Sequence, residues 1–228
     1  MIRLDNIAQF LAQFFAVHRF VNDPGGVYWP SARPISRFGL ALEPSPHLAD
    51  WAIAERLDGL FLHRPWKLQP NQLAPDVGVV AYHLAFDERL TLSFNPRLAE
   101  VLGLSGVEVL GEKEGRAIGM LGEIPAQNFV SYCCYLDEVF GGQDEARAGI
   151  RSEVKRVAVV GAMTDALVRE AVLRGADMYI TGQLRPPAQA AVLETGIGVV
   201  GVGHRRCEEW GLRALAGVLR ERWSQLST

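Results

Sequence analysis

Several features common in proteins are scarce in this 228-residue chain. There are only 3 cysteines, Cys133 and Cys134 side by side and Cys207 alone. They imply no disulfide framework, and free thiols suit a reducing, cytoplasmic setting. No apolar run approaches the roughly 18 residues that span a bilayer, so no membrane partner is expected. The N-terminal apolar pattern of Leu4, Ile7, Phe10, Leu11, Phe14 and Phe15 has no basic lead and no small-residue cleavage site, so it reads as an amphipathic helix rather than a secretory signal. Positive charge is not in excess. With a formal net charge of -3, no global basic field recruits nucleic acid or an anionic membrane surface. A phosphate-cradling loop is also missing. Gly161 follows the apolar Val157–Val160 and precedes Thr164, but Ala162 and Met163 stand where glycines would be needed, and the turn reads as a plain helix N-cap.

What the chain does have is enough apolar material for a large core, 49% hydrophobic against 21% charged, and a rhythm of short apolar runs alternating with amphipathic stretches. Helix is expected at residues 4–20, loop at 22–36, strand at Phe38–Leu42, helix at about 46–56, and strands at Gly59–Leu62 and at 77–82. A helix follows near Pro96–Leu102, paired strands lie within 106–122, and a further helix covers 125–140. The polar segment 141–152 reads as a linker. After it come strand Arg156–Val160, helix 164–174, strand Met178–Thr181, helix 186–194, strand Ile197–Val202 and helix 205–223. Such alternation argues α/β with largely parallel pairing.

The halves also match. A shift of 119 residues lays Arg37–Leu42 on Arg156–Gly161, Leu48 on Leu167, Ala52 on Ala171 and Asp58 on Asp177 without a gap. Two more residues of shift bring His83 onto His204. The expected architecture is therefore α/β, with two related lobes of mixed, largely parallel sheets facing a central cleft. Residues 1–104 and 153–228 form the two halves, and 105–152 connects them. Ligands of α/β sheets gather at the carboxyl ends of strands, which directs attention to what stands there.

Histidine stands there. His63 ends the run Gly59–Leu62, His83 ends Val79–Tyr82, and His204 ends Val199–Gly203. Two of the three are followed four residues later by an acid, Asp87 and Glu208. Imidazole and carboxylate are the ligand types that hold Zn, Mn, Fe or Co as divalent ions, and ligand type alone does not choose among them. His204 and Glu208, one turn apart at the start of a helix, would share a face. Each motif alone is equally a strand-end hydrogen bond or a helix cap. Their recurrence favours a metal site drawn from His63, Asp87, His204 and Glu208, with His83 as a ligand's supporting neighbour.

The motifs Val154–Gly161, Gly175–Gly182 and Gly203-His-Arg-Arg-Cys-Glu208, with Leu57–His63 and Tyr82–Asp87 in the first half, resemble those of the NIF-three-like proteins, also labelled GTP cyclohydrolase I type 2 homologues. The resemblance spans nearly the whole chain. It implies a two-lobed α/β protein that assembles as a ring-shaped hexamer with a dinuclear metal centre, with His63, Asp87, His204 and Glu208 as ligands and His83 beside them. The chain departs from that pattern at four places, one being the loop after Val160, which lacks the family's usual glycine-rich form. Arg64 replaces a second histidine, Gln183 replaces a glutamate, and Arg185, Pro186 and Pro187 occupy positions where histidines are expected. A guanidinium cannot ligate, so the expectation is one or two divalent ions per chain.

On this reading the protein is a metal-dependent hydrolase of a small nucleotide-like or phosphorylated substrate. Glu208 and His83 handle protons as the catalytic pair, and Arg64 and Arg185 bind the substrate's anion. The alternative is a non-catalytic metal-binding scaffold for protein or, less favoured by the charge, nucleic acid.

Overall fold

The computed structural model describes residues 1–228. It is a mixed α/β protein, and the chain divides into two compact units, Met1–Phe86 with Leu212–Thr228, and Asp87–Gly211.

In the first unit, helix α1 (Leu4–Phe14) leads to strand β1 (Gly26–Trp29), β2 (Phe38–Ala41), helix α2 (Leu48–Ala54), β3 (Gly59–Leu62) and β4 (Gly78–Ala81). Helix α3 (Leu84–Leu90) begins here. The sheet order is β1-β4-β3-β2. β2, β3 and β4 run parallel, Phe38 opposite Gly59 and Gly59 opposite Gly78, while β1 is antiparallel on the β4 edge. Every residue of β3 and β4 is buried, which explains why both read as continuous apolar runs rather than as alternation. Leu60, Leu62 and Val79 pack with Leu48 and Ala52 of α2. Phe61 points to the opposite face, its ring centroid 5.5 Å from that of Phe86. Each such side chain contributes about 1.5–3 kcal/mol on burial.

The second unit continues α3 and adds α4 (Pro96–Val101), β5 (Ser105–Val109), the small hairpin β6 (Glu112–Lys113) and β7 (Arg116–Ala117), and the long β8 (Gly119–Gln127). Then follow α5 (Phe129–Phe140), β9 (Glu145–Arg147), β10 (Val154–Val160), α6 (Asp165–Leu173), β11 (Met178–Thr181), α7 (Pro186–Thr195), β12 (Gly198–Gly201) and the start of α8 (His204–Arg222). The order is β5-β8-β10-β11-β12-β9, with β10, β11 and β12 parallel and the remaining pairings antiparallel. Thr164 caps α6 through its hydroxyl, which accepts from Leu167 N at 3.2 Å, as the residues around Gly161 suggest.

Four elements differ from the sequence reading, α3 among them, since no helix is expected at Leu84–Leu90. β1 lies in the stretch expected to be loop. Its flanking Pro24, Gly25 and Pro30 are turn-formers, and only the β4 edge supplies its ladder. β9 lies in the expected linker, and its three residues are exposed or half-buried and held by backbone pairing to β12. α1 stops at Phe14 because Ala16 turns left-handed, φ 50°, before one 3-10 turn at Val17–Arg19. No helix is long and apolar enough to cross a membrane.

Candidate metal centre

His63 is the first residue past β3. Its amide donates to Ala41 O at 3.1 Å, which continues the β2–β3 ladder one step and fixes the side chain over the end of the sheet. The ring is fully buried. Its Nδ1 lies 3.1 Å from the carbonyl oxygen of Tyr82. A carbonyl only accepts, so Nδ1 carries the proton and Nε2 presents its lone pair in the neutral ring. This is the arrangement that orients a metal-ligating imidazole. Tyr82 is itself anchored, its hydroxyl donating to Ala8 O at 2.6 Å. Burial pushes its phenol up to about 12, so it remains a neutral donor at physiological pH. Gly25 makes this packing possible. It sits at φ +61°, and a side chain there would enter the Tyr82 ring.

His83 follows β4, its ring centroid 4.9 Å from that of His63 and 5.0 Å from that of Trp66. Its Nδ1 faces Asp23 Oδ2 at 3.5 Å. The same carboxylate oxygen accepts the amide of Leu84 at 2.6 Å. Asp23 therefore does two things from sixty residues away in sequence. It caps the start of α3 and holds the His83 ring. Neither role has a local sequence signal, which is why α3 and Asp23 escape a reading of the residues alone.

Asp87 is one helical turn beyond His83. Both flank the first turn of α3 (Leu84–Leu90). His63, His83 and Asp87 offer two imidazole nitrogens and one carboxylate oxygen within 4.8 Å of one another. Two ligands about 2.1 Å from one ion lie at most about 4.2 Å apart. The donor set and its spacing thus suit a borderline divalent cation after small side-chain adjustments. His63 Nε2 and Asp87 Oδ1 are both shut off from solvent. Beside this group is a cavity of about 210 Å³ walled by His63, His83, Trp66, Tyr28 and Gly25.

The other expected residues fall as follows. His204 opens α8, and its Nε2 is 3.0 Å from Glu208 Oε1. The histidine is exposed and the glutamate buried. Between them Cys207 is buried, its thiol 3.0 Å from Gly203 O, in keeping with a packing role. Burial pushes that thiol up strongly, and the charges of Glu208 and then Asp87 add to the effect, so the field of Asp87 reaches the first turn of α8. Arg64 lies 3.5 Å from Glu43. Arg185 is exposed at the N-cap of α7. Neither arginine belongs to the His63–His83–Asp87 group. That group thus takes in two expected ligands and the histidine expected beside them.

Comparison with known proteins shows the family and the fold. The model of the family described as Duf34/NIF3 (NGG1p interacting factor 3) matches residues 2–228. A "GTP cyclohydrolase 1 type 2 homolog" of Neisseria meningitidis is 25% identical over 207 residues, covering 85% of this chain and 82% of the relative. One of Pyrococcus horikoshii with the same name is 30% identical over 190 residues, covering 76% and 68%. Among solved structures, protein ybgI, titled as of unknown function, superposes with a TM-score of 0.78 at 21% identity, over 99% of this chain and 96% of that one.

Proposed function

We propose that this chain, which belongs to the Duf34/NIF3 family, is a divalent-metal-dependent hydrolase of a small nucleotide-like or phosphorylated substrate. The observation that carries this reading is the convergence of His63, His83 and Asp87 within 4.8 Å, with the His63 tautomer set by the Tyr82 carbonyl. The name shared by the curated relatives supports the substrate class. A bound divalent ion would supply Lewis acidity toward water and a substrate oxygen.

The chain's own residues divide the remaining work. His63 and Asp87 hold the ion, with His204 and Glu208 completing the set that the family resemblance implies. His83 takes and releases a proton through Nε2 while Asp23 steadies Nδ1. Glu208, buried against the His204 ring, is the second proton carrier. Arg64 binds an anionic substrate group only by leaving Glu43. Arg185, exposed on α7, is the more accessible of the two. The same resemblance supports a ring-shaped homohexamer and a second metal position, the latter weakened by Arg64 and Gln183.

The test is turnover of a panel of nucleoside phosphates and cyclic nucleotide derivatives with manganese, zinc, iron or cobalt. Hydrolysis should need the ion and fall by at least about a hundredfold in Asp87→Ala, the scale on which a transition-state contact of about 2.7 kcal/mol is lost. The second reading, a non-catalytic metal-binding scaffold, is favoured by Arg64 in place of a ligand. Stoichiometric metal without any turnover across the panel would select it.

A further inference from the structure

A second cavity, of about 470 Å³, lies against α2 and shares no lining residue with the one beside His63. One wall is Ala49, Ala52 and Ile53 of α2, and the other is Leu73, Ala74 and Val77 from the segment entering β4. Ile53 is 73% exposed, an unusual position for a branched apolar side chain facing a cavity of this size. Two cations stand at the cavity, Arg33 and Arg56. Arg33 is committed, with Asp58 at 2.9 Å and Asp76 at 2.9 Å. Arg56 forms no ion pair.

The backbone of Arg56 is as telling as its charge. It occupies the position after the C-cap of α2, with φ 51°, in the turn closed by Arg56 N to Ile53 O at 3.0 Å and Leu57 N to Ala52 O at 2.9 Å. That left-handed position favours glycine. The corresponding turn after α6 has Gly175 there, φ +85°, and the same closing bond, Ala176 N to Ala171 O at 2.9 Å. One turn of identical design thus holds the residue the geometry favours, and the other holds a strained arginine at the rim of an apolar cavity. Strain retained at one of two equivalent turns points to use of the side chain.

We infer that the cavity under α2 is a binding site for a small amphiphilic anion, its apolar body between Ile53 and Leu73 and its carboxylate, sulfonate or phosphate on Arg56. Charge complementarity and the lining commit the occupant to this class. The cavity exceeds what a bare inorganic anion needs, and beside the two arginines its polar lining is only Asn71 and Gln72, of which Gln72 already donates to Ser45 O at 2.7 Å; the remaining wall is apolar.

The probe is 8-anilinonaphthalene-1-sulfonate, titrated by fluorescence and calorimetry into the folded protein and into Arg56→Gly, Arg56→Lys and Ala49→Trp. Wild type should bind one equivalent saturably. Arg56→Gly should weaken binding by about tenfold or more, the scale of one lost charge-assisted contact, while Arg56→Lys stays within about threefold and the filled cavity of Ala49→Trp binds none. Arg56→Gly relieves the strained turn, so its Tm should rise by about 2–4 °C, which separates lost binding from lost folding. Absence of saturable binding in wild type, or unchanged affinity in Arg56→Gly, would overturn the inference.

Discussion

The parallel strands of the two units are pinned by the same device. Asp58 Oδ2 accepts the amides of Ser36 and Arg37 at 2.9 and 3.0 Å, and its Oδ1 faces Arg33 at 2.9 Å. Asp177 Oδ2 accepts the amides of Lys155 and Arg156 at 2.8 and 3.0 Å, and its Oδ1 faces Arg151 at 3.2 Å. Both pairs of amides and both aspartates are related by the 119-residue shift, as are the register pairs Phe38–Gly59 and Val157–Met178. These correspondences support an origin of the halves by duplication. The units differ beyond the staple. β3 is followed by the buried His63 and β11 by Gly182, while β4 and β12 lead to His83 and His204, respectively. The staple fixes how a strand enters the sheet, and the residues just past the strand's far end are left to differ, so one design carries a buried imidazole past β3 and a glycine past β11.

If the staples are equivalent, cutting them should cost alike. Asp58→Ala and Asp177→Ala each strand two backbone donors and remove one ion pair, and each should lose about 2–4 kcal/mol of unfolding free energy in urea. A difference of several kcal/mol would break the comparison. A smaller effect belongs to the metal end of the first unit. Asp23→Asn removes the charge that steadies the His83 ring and should lower turnover by about 10–100-fold with little change in global stability or in metal content, measured as metal-dependent hydrolysis of the nucleotide panel. Exchange of the two left-handed turns comes next. Gly175→Arg should destabilise by about 1–2 kcal/mol, and Arg56→Gly should stabilise by up to a similar amount, read from thermal melts.

The smallest effect is on pH. Burial raises Tyr132, with Tyr135 adding to it, and raises Tyr179, with Glu170 adding to it, above the ordinary 10.0. The folded state favours their neutral form. Their contribution is whole below about pH 10 and is lost progressively above it, and the thiols of Cys133 and Cys207, raised by burial from an ordinary 9.0, lose theirs first, so urea midpoints should begin to fall near pH 9 and fall more steeply above 10. Over the same range Cys133, pushed up to about 11 by burial, should alkylate far more slowly than the exposed Cys134.

How much of this was legible in the sequence depends on whether the signal was local. β3, β4, β10, β11 and β12 are buried runs bounded by turn residues, and each is visible as such. Asp58 and Asp177 could be matched because the residues they bond are a fixed distance away in both halves. His63, His83 and Asp87 stand out because each follows an apolar run or lies one turn beyond a histidine. β1, β9 and α3 do not stand out. The two strands are polar or glycine-bearing and owe their form to a neighbour's backbone, and α3 is capped by Asp23, far off in sequence. Asp23 carries no mark of its role for the same reason. The departures at Arg64 and Gln183 could be seen in the sequence, but the contact of Arg64 with Glu43 is tertiary.

The most direct test of the central claim is metal content per chain, by elemental mass spectrometry on protein purified without chelators or a histidine tag, with His63→Ala and Glu208→Ala alongside. The account predicts at least one divalent ion per wild-type chain, lost in His63→Ala and reduced in Glu208→Ala. No bound ion in wild type after soaking with manganese, zinc, iron and cobalt, or full retention in His63→Ala, would contradict it.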